Sequence, residues 1–142
     1  MYDLRDIIQV GRSASITHVV TNDDAATKYS KGLEELLATP ACIRLAIQAA
    51  AVAVDKYLPE GYVSIGRAIE FEHTASTRVG MRITVDATVI EVQPLYMVLK
   101  ISVYDAVGEI GFGTHRRSIV NMESLLARSK RREAMQANDR PL

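Results

Sequence analysis

The stretch TPACIRLAIQAAAVAVDKYL, residues 39–58, decides the fold because it predicts one long helix that is apolar on nearly every side. Thr39 is expected to cap the first turn with its hydroxyl, and Pro40 suits the first helical position. Alanines cover much of the helix surface. Large aliphatic side chains share one stripe along it: Ile43, Ile47, Val54, Leu58. Charged and amide side chains interrupt the run, which excludes a membrane span: Arg44, Gln48, Asp55, Lys56. We therefore expect a core helix.

Composition sets limits on the class of protein. The chain has 142 residues, 48% hydrophobic and 24% charged, which are ordinary values for one globular domain. Its 17 basic residues balance 17 acidic ones, so neither nucleic acid nor a membrane is expected as a partner. Cys42 has no second cysteine with which to form an internal disulfide, and no leader-like segment is recognisable. We expect a single cytoplasmic domain over residues 1–142.

The residues before the helix form three predicted segments. Residues 1–12 lack clear periodicity and are interpreted as an N-terminal arm. Residues 15–21, SITHVVT, are β-branched and predict a strand. Residues 31–38, KGLEELLA, predict a short helix just ahead of the main one.

The pattern changes to period two after the turn at residues 59–61. Four strands are predicted, over residues 62–74, 81–92, 95–104 and 109–120. The short turns between them indicate an antiparallel meander. In the first of these strands, Val63, Ile65, Ile69, Phe71 and His73 should share one face. Residues 122–142 are interpreted as a C-terminal helix, over 122–136, followed by a tail.

This order of elements predicts an α+β hotdog fold. A curved antiparallel sheet of about five strands would wrap around one long central helix, because a helix that is apolar all round cannot bury itself. The outer face and the edge strands of such a sheet remain available for pairing, so we expect a homodimer or a higher homo-oligomer.

Three segments of the chain resemble a known family. LLATPACIRLA, GRAIEFEHTASTRVGMRITVDATV and EIGFGTHRRSIV, in this order and at these separations, are similar to the hotdog thioesterases related to fluoroacetyl-CoA thioesterase. The likeness covers roughly residues 10–123, and its most specific parts are the HTA-x-T-x-x-G turn and EIG-x-GTH. The resemblance implies hydrolysis of acyl-CoA thioesters by a Thr, a Glu and a His, with a glycine N–H holding the thioester carbonyl.

Carried over by position, the resemblance assigns catalytic roles to Thr39 and His73, and substrate-binding roles to Gly66 and Arg117. The family's Glu does not carry over. It belongs eight residues after the Thr, where this chain has Ile47, with Gln48 beside it. The acid that orients the histidine in such a triad is therefore missing from its expected place.

The chemistry of these residues fits thioester hydrolysis. A neutral imidazole can take a proton at pH 7, so His73 would be the base. Thr39 would be either the acyl acceptor or the group that positions water. N–H groups at the start of the helix, with Gly66, would hold the oxyanion. No cofactor is expected beyond the CoA of the substrate, and the spacing of His18, His73 and His115 does not predict a metal site.

Each assignment has a structural alternative. Thr39 could be only a helix cap, His73 a turn histidine and Gly66 a bulge or close-packing glycine. Cys42 is best interpreted as a small buried residue. The leading hypothesis is an acyl-CoA thioesterase for a small or medium acyl group. The alternative is a non-catalytic acyl-CoA or acyl-carrier binding module, favoured by Ile47, and a hotdog dehydratase is a weaker third.

Overall fold

A computed structural model describes residues 2–138 and places one long helix against a five-stranded antiparallel sheet. Its main elements are β1 (Ser13–Val19), α1 (Thr39–Val54), β2 (Tyr62–His73), β3 (Arg82–Val92), β4 (Tyr96–Tyr104), β5 (Glu109–Asn121) and α2 (Met122–Asn138). The strand order β1-β3-β4-β5-β2 leaves β1 and β2 at the two edges. This is the wrapped-helix arrangement that the sequence predicted.

The α1 helix packs on the sheet through its small residues. Most of its buried residues are alanines, and their small side chains bring the helix backbone close to the strands. The buried residues are Ala41, Cys42, Leu45, Ala46, Ala49, Ala50, Ala53 and Val54. The other side of the helix is not covered, since Ile47 is 37% and Val52 58% exposed. The prediction of a helix buried all round was therefore wrong for the single chain, and α1 ends at Val54, before a short turn over Asp55–Tyr57.

The inner strands β3 and β4 follow the predicted alternation. In β3 the side chains of Ile83, Val85, Ala87 and Val89 are fully buried, and in β4 those of Met97, Leu99, Ile101 and Val103 are. A period of two places these residues on the face that meets α1. Leu95 is the exception, because it precedes β4 and is 48% exposed.

The edge strand β2 departs from simple alternation at a bulge. Its pairing with β5 shifts register between Gly66 and Ala68, which inserts one extra residue and reverses the inward face. Ser64 is consequently buried, although the sequence had placed Val63 and Ile65 inward. Beyond the bulge Ile69 and Phe71 pack against the core as predicted.

Residues 31–38 form no helix, so this prediction was wrong. Gly32 and Glu35 have φ angles of 82° and 64°, in a left-handed region that a right-handed helix excludes. Leu36 and Leu37 instead form isolated bridges with Arg78 and Ala25. The chain ahead of α1 is thus extended between two other segments.

The two ends of the chain differ in how they meet the body. The predicted N-terminal arm packs onto it, with Leu4 and Ile8 buried and the Leu4 N–H bonded to the Pro94 carbonyl at 2.8 Å. The α2 helix is mostly exposed, and the predicted tail beyond residue 138 lies outside the described residues. Within residues 2–138, no helix combines the length and apolar character that crossing a bilayer requires.

Candidate functional site

The side chains of Thr39 and His73 meet although they are far apart in sequence. Thr39 is the first residue of α1 and His73 the last of β2, and Thr39 Oγ1 lies 2.9 Å from His73 Nδ1. This is a hydrogen-bonding distance, and it joins a hydroxyl to a potential base. The sequence-predicted pair is therefore brought together within one chain.

Thr39 does not cap α1, contrary to our expectation. The N-cap residue is Ala38, which provides no side-chain hydrogen bond, and Thr39 and Pro40 occupy the first turn. Because the Thr39 hydroxyl is not used by the helix backbone, it is available to His73.

Main-chain hydrogen bonds explain how the pair is assembled. The Leu37 N–H donates to the Thr77 carbonyl at 2.8 Å, and the Val79 N–H donates to the Glu35 carbonyl at 2.7 Å. The segment just before Thr39 is thereby fixed to the loop just after His73. Thr77 is itself held, since its hydroxyl donates to Asp105 Oδ2 at 2.9 Å. We call residues 35–37 and 77–79 the clamp.

The imidazole of His73 is suited to act as a base. Burial lowers its pKa, with a smaller opposing effect from the backbone of Ala75, so the ring is neutral at pH 7. Its Nε2 atom is buried and has no hydrogen-bond partner among the described residues. No carboxylate of the described residues therefore orients this ring.

The residues that could replace the family's acid do not reach His73 in the single chain. Ile47 and Gln48 lie on the uncovered side of α1. Glu72 is exposed and lies on the opposite face of β2 from His73, because neighbouring side chains of a strand alternate. The family's acid is thus missing from the single chain in the structure as well as in the sequence.

Gly66 and Arg117 belong to a different cluster. Arg117 is 5% exposed, and it donates through Nε to Ser64 Oγ and through Nη2 to the Ser64 carbonyl, both at 2.9 Å. Its Nη1 lies 3.2 Å from His115 Nε2. A Cβ on Gly66 would approach His115 to 3.1 Å, so the glycine leaves room for this ring.

This second cluster lies far from Thr39 in the same chain. Ser64 Oγ bonds to Asp55, which follows the last turn of α1, about 24 Å along the helix from Thr39. Gly66 is likewise roughly 20 Å along β2 from His73. One chain therefore does not bring Gly66 and Arg117 to the Thr39–His73 pair.

A buried carboxylate near the start of α1 escaped the sequence analysis. Asp24 is 2% exposed, and its Oδ2 lies 2.7 Å from His18 Nε2 while its Oδ1 accepts from Arg44 at 2.8 Å. Burial alone would raise the pKa of Asp24, but hydrogen bonds from Thr21, His18 and Arg44 lower it to about 2. One local signal separates Asp24 from the adjacent, exposed Asp23: Thr21-x-x-Asp24 has the spacing of a capping box, which the structure forms, but this spacing does not indicate that the carboxylate is buried.

Other reactive groups are excluded from the site. The thiol of Cys42 is fully buried, and burial together with the charge of Asp24 raises its pKa to about 12, so it is not a nucleophile. Among the described residues no three His, Cys, Asp or Glu side chains are grouped as metal ligands. His115 is bound through Nδ1 to the Ala68 carbonyl at 2.9 Å.

Two surface clefts lie away from the pair. One of about 600 Å³ is formed by Tyr2, Tyr62, Leu95, Ile119 and the first turns of α2. The other, of about 370 Å³, lies on the outer sheet face beside Ile90 and Phe112. Neither cleft is lined by Thr39 or His73.

Comparisons with known proteins agree with the predicted resemblance. Residues 20–123 match the family model described as FlK, fluoroacetyl-CoA-specific thioesterase. Fluoroacetyl-CoA thioesterase from Streptantibioticus cattleyicolor is 35% identical over 107 residues, covering 75% of this chain and 68% of that protein.

Solved structures confirm the hotdog fold. A hot-dog-like protein from Thermanaerovibrio acidaminovorans superposes with a TM-score of 0.87 at 31% identity, covering 92% of this chain and 96% of that one. A structure of fluoroacetyl-CoA thioesterase gives 0.79 at 30% identity, covering 87% and 96%.

Proposed function

This chain belongs to the fluoroacetyl-CoA-specific thioesterase family, and on that premise we propose that it hydrolyses the thioester of a small or medium acyl-CoA. The observation that carries the proposal is the 2.9 Å contact between Thr39 Oγ1 and His73 Nδ1 at the start of α1. CoA enters only as part of the substrate, and a cytoplasmic location remains an expectation from the sequence.

Thr39 is the nucleophile in the proposed reaction. Its hydroxyl oxygen attacks the thioester carbonyl while its proton passes to Nδ1 of neutral His73. The tetrahedral intermediate then expels the CoA sulfur, which takes that proton and leaves as the thiol. Water hydrolyses the acyl ester on Thr39 with His73 again as base, and releases the carboxylic acid.

The negative charge of the intermediate needs donors. The start of α1 has no side-chain cap, and the Ala41 and Cys42 N–H groups donate to the Ala38 carbonyl, so α1 would act on the reacting carbonyl through its positive dipole end. Gly66 would add a backbone N–H, and Arg117 a positive charge. Because these two residues lie roughly 20 Å from the pair along their own chain, we assign them to the site of a second copy.

A homodimer would supply that second copy. β2 is a long edge strand whose outer side is unpaired, and two such strands can pair antiparallel about a two-fold axis. An axis near Glu70 would bring Gly66 of one chain opposite the partner's His73. The exposed apolar residues Ile47 and Val52 lie on the side of α1 that one chain leaves uncovered.

A non-catalytic acyl-CoA binding module is the second candidate. It is favoured by two observations: the buried Nε2 of His73 has no partner among the described residues, and Ile47 stands where the family's acid belongs. Without an orienting acid, a histidine base loses much of its effect.

The first prediction concerns His73→Ala. Hydrolysis of a panel of acyl-CoAs should fall by roughly 10²- to 10⁴-fold in kcat, because the general base is removed. The neighbouring Glu72→Ala, on the opposite face of β2, should stay within about twofold of the wild type and serves as the control. For the wild type, kcat/KM should rise with pH and level off with a midpoint below about 6.5, since burial lowers the pKa of His73.

Equal rates for the wild type and His73→Ala across the panel would overturn the enzyme assignment. Binding of acyl-CoA measured by calorimetry, without turnover, would then establish the binding module.

The second prediction restores the missing acid. Ile47→Glu should raise kcat at least about tenfold, because in the proposed homodimer a carboxylate on the uncovered side of α1 can bond to the unpartnered Nε2 of His73 in the second copy. Ile47→Gln, which adds polarity without charge, should give less than a third of that gain. A kcat for Ile47→Glu no higher than for Ile47→Gln would contradict the missing-acid interpretation.

The third prediction tests whether the site is shared between chains. His73→Ala and Gly66→Val are each expected to be inactive as homodimers. After co-refolding, half of the dimers are mixed and carry one intact site in two, so about a quarter of wild-type activity should return. A site contained in one chain would regain none, and light scattering would report the dimer independently.

A further inference from the structure

The buried carboxylate of Asp24 joins three parts of the chain. Its two oxygens are hydrogen-bonded to the His18 ring of β1, to the Thr21 N–H at 2.8 Å and to the Arg44 guanidinium of α1. A carboxylate removed from water is unfavourable unless it is paired and hydrogen-bonded in this way. The cluster is therefore a fully bonded link between β1 and the second turn of α1.

The main chain of Asp24 contacts α1 at another point. Its carbonyl accepts the N–H of Ala38 at 2.8 Å, and the neighbouring Ala26 N–H donates to the Leu36 carbonyl at 2.8 Å. Ala38 is the N-cap residue and directly precedes Thr39. Asp24 thus holds α1 on both sides of its first turn, at Ala38 through its backbone and at Arg44 through its carboxylate.

Resting on the proposed function, we propose that Asp24 is a positioning residue that sets where the Thr39 hydroxyl stands relative to His73. Its carboxylate oxygens are bonded to His18, Thr21 and Arg44, so it does not touch the reacting atoms. Together with the clamp it fixes the start of α1 from two directions: the clamp ties the segment before Thr39 to the loop after His73, and Asp24 ties it to β1.

The charge of Asp24 matters for the placement of α1, because an apolar side chain of the same size would make no directional contact with Arg44 or His18. Hydrogen bonds and ion pairs define the angle and distance between the elements they join, whereas packing alone tolerates small shifts. A displacement of about 1 Å of a reacting group can lower a rate by about 10²-fold. A small rotation of the first turn of α1 would produce such a displacement at Thr39.

Asp24→Asn tests the proposal while preserving the shape of the side chain. With acetyl-CoA as substrate, kcat should fall between about tenfold and a hundredfold while KM stays within about twofold, because Thr39 is misplaced and not removed. Asp86→Asn is the matched control, since Asp86 also bonds to a β1 side chain, Ser15, but on the β1–β3 ladder. It should keep kcat within about twofold.

The Arg44 variants separate positioning from general stability. Arg44→Gln should lower kcat as Asp24→Asn does, Arg44→Lys should recover most of it, and the double variant should lose no more than either single one. Arg44 is half exposed, so these variants keep the test usable even where Asp24→Asn fails to fold. Additive losses, or losses equal to the unfolded fraction measured by circular dichroism, would overturn the proposal.

Failure of the proposed function is distinguishable from failure of this inference. If the wild type hydrolyses no acyl-CoA, the crystal structure of Arg44→Gln decides the matter. A Thr39 Oγ1 to His73 Nδ1 distance beyond hydrogen-bonding range supports the positioning role, and an unchanged distance of 2.9 Å rejects it.

Discussion

The structure depends on the extended segment that leads into the central helix. Residues 35–38 lie between residues 24–26 on one side and 77–79 on the other, and backbone hydrogen bonds of 2.7 to 2.8 Å join them to both. These bonds fix the first residue of α1 against the last residue of β2. A threonine and a histidine that are 34 positions apart in sequence thereby come within one hydrogen bond. The candidate site is therefore positioned by main-chain hydrogen bonds, and the side chains of Thr39 and His73 meet because their backbones are held close together.

Much of the fold could be predicted from the periodicity of apolar residues along the chain. The alternation of β3 and β4 is regular, and the alanine-rich helix could be recognised from its length and composition. The errors have local causes. A bulge at Gly66 reversed the inward face of β2, and left-handed angles at Gly32 and Glu35 abolished the helix expected over residues 31–38. Neither is visible in a pattern of apolar residues.

The candidate site was predictable only in part. Thr39 and His73 were reached through the resemblance, and their contact is present. Asp24 could not be found, because only the fold shows that it is buried while Asp23 beside it is exposed. The separation of Arg117 from the pair was equally hidden, since the length of α1 and the direction of β2 are needed to see that Gly66 and Arg117 lie near the other end of the helix. This separation is the reason for proposing that a second copy of the chain completes the site.

In the proposed reaction, His73 is a neutral base whose Nδ1 receives the proton of Thr39. Nitrogen-15 NMR of the histidine ring tests it most directly, because the resonances of Nδ1 and Nε2 report which nitrogen carries a proton. At pH 7 we expect a neutral ring protonated on Nε2, with an Nδ1 resonance that shifts in Thr39→Val while the resonances of His115 do not. A doubly protonated ring, or a proton on Nδ1, would contradict it.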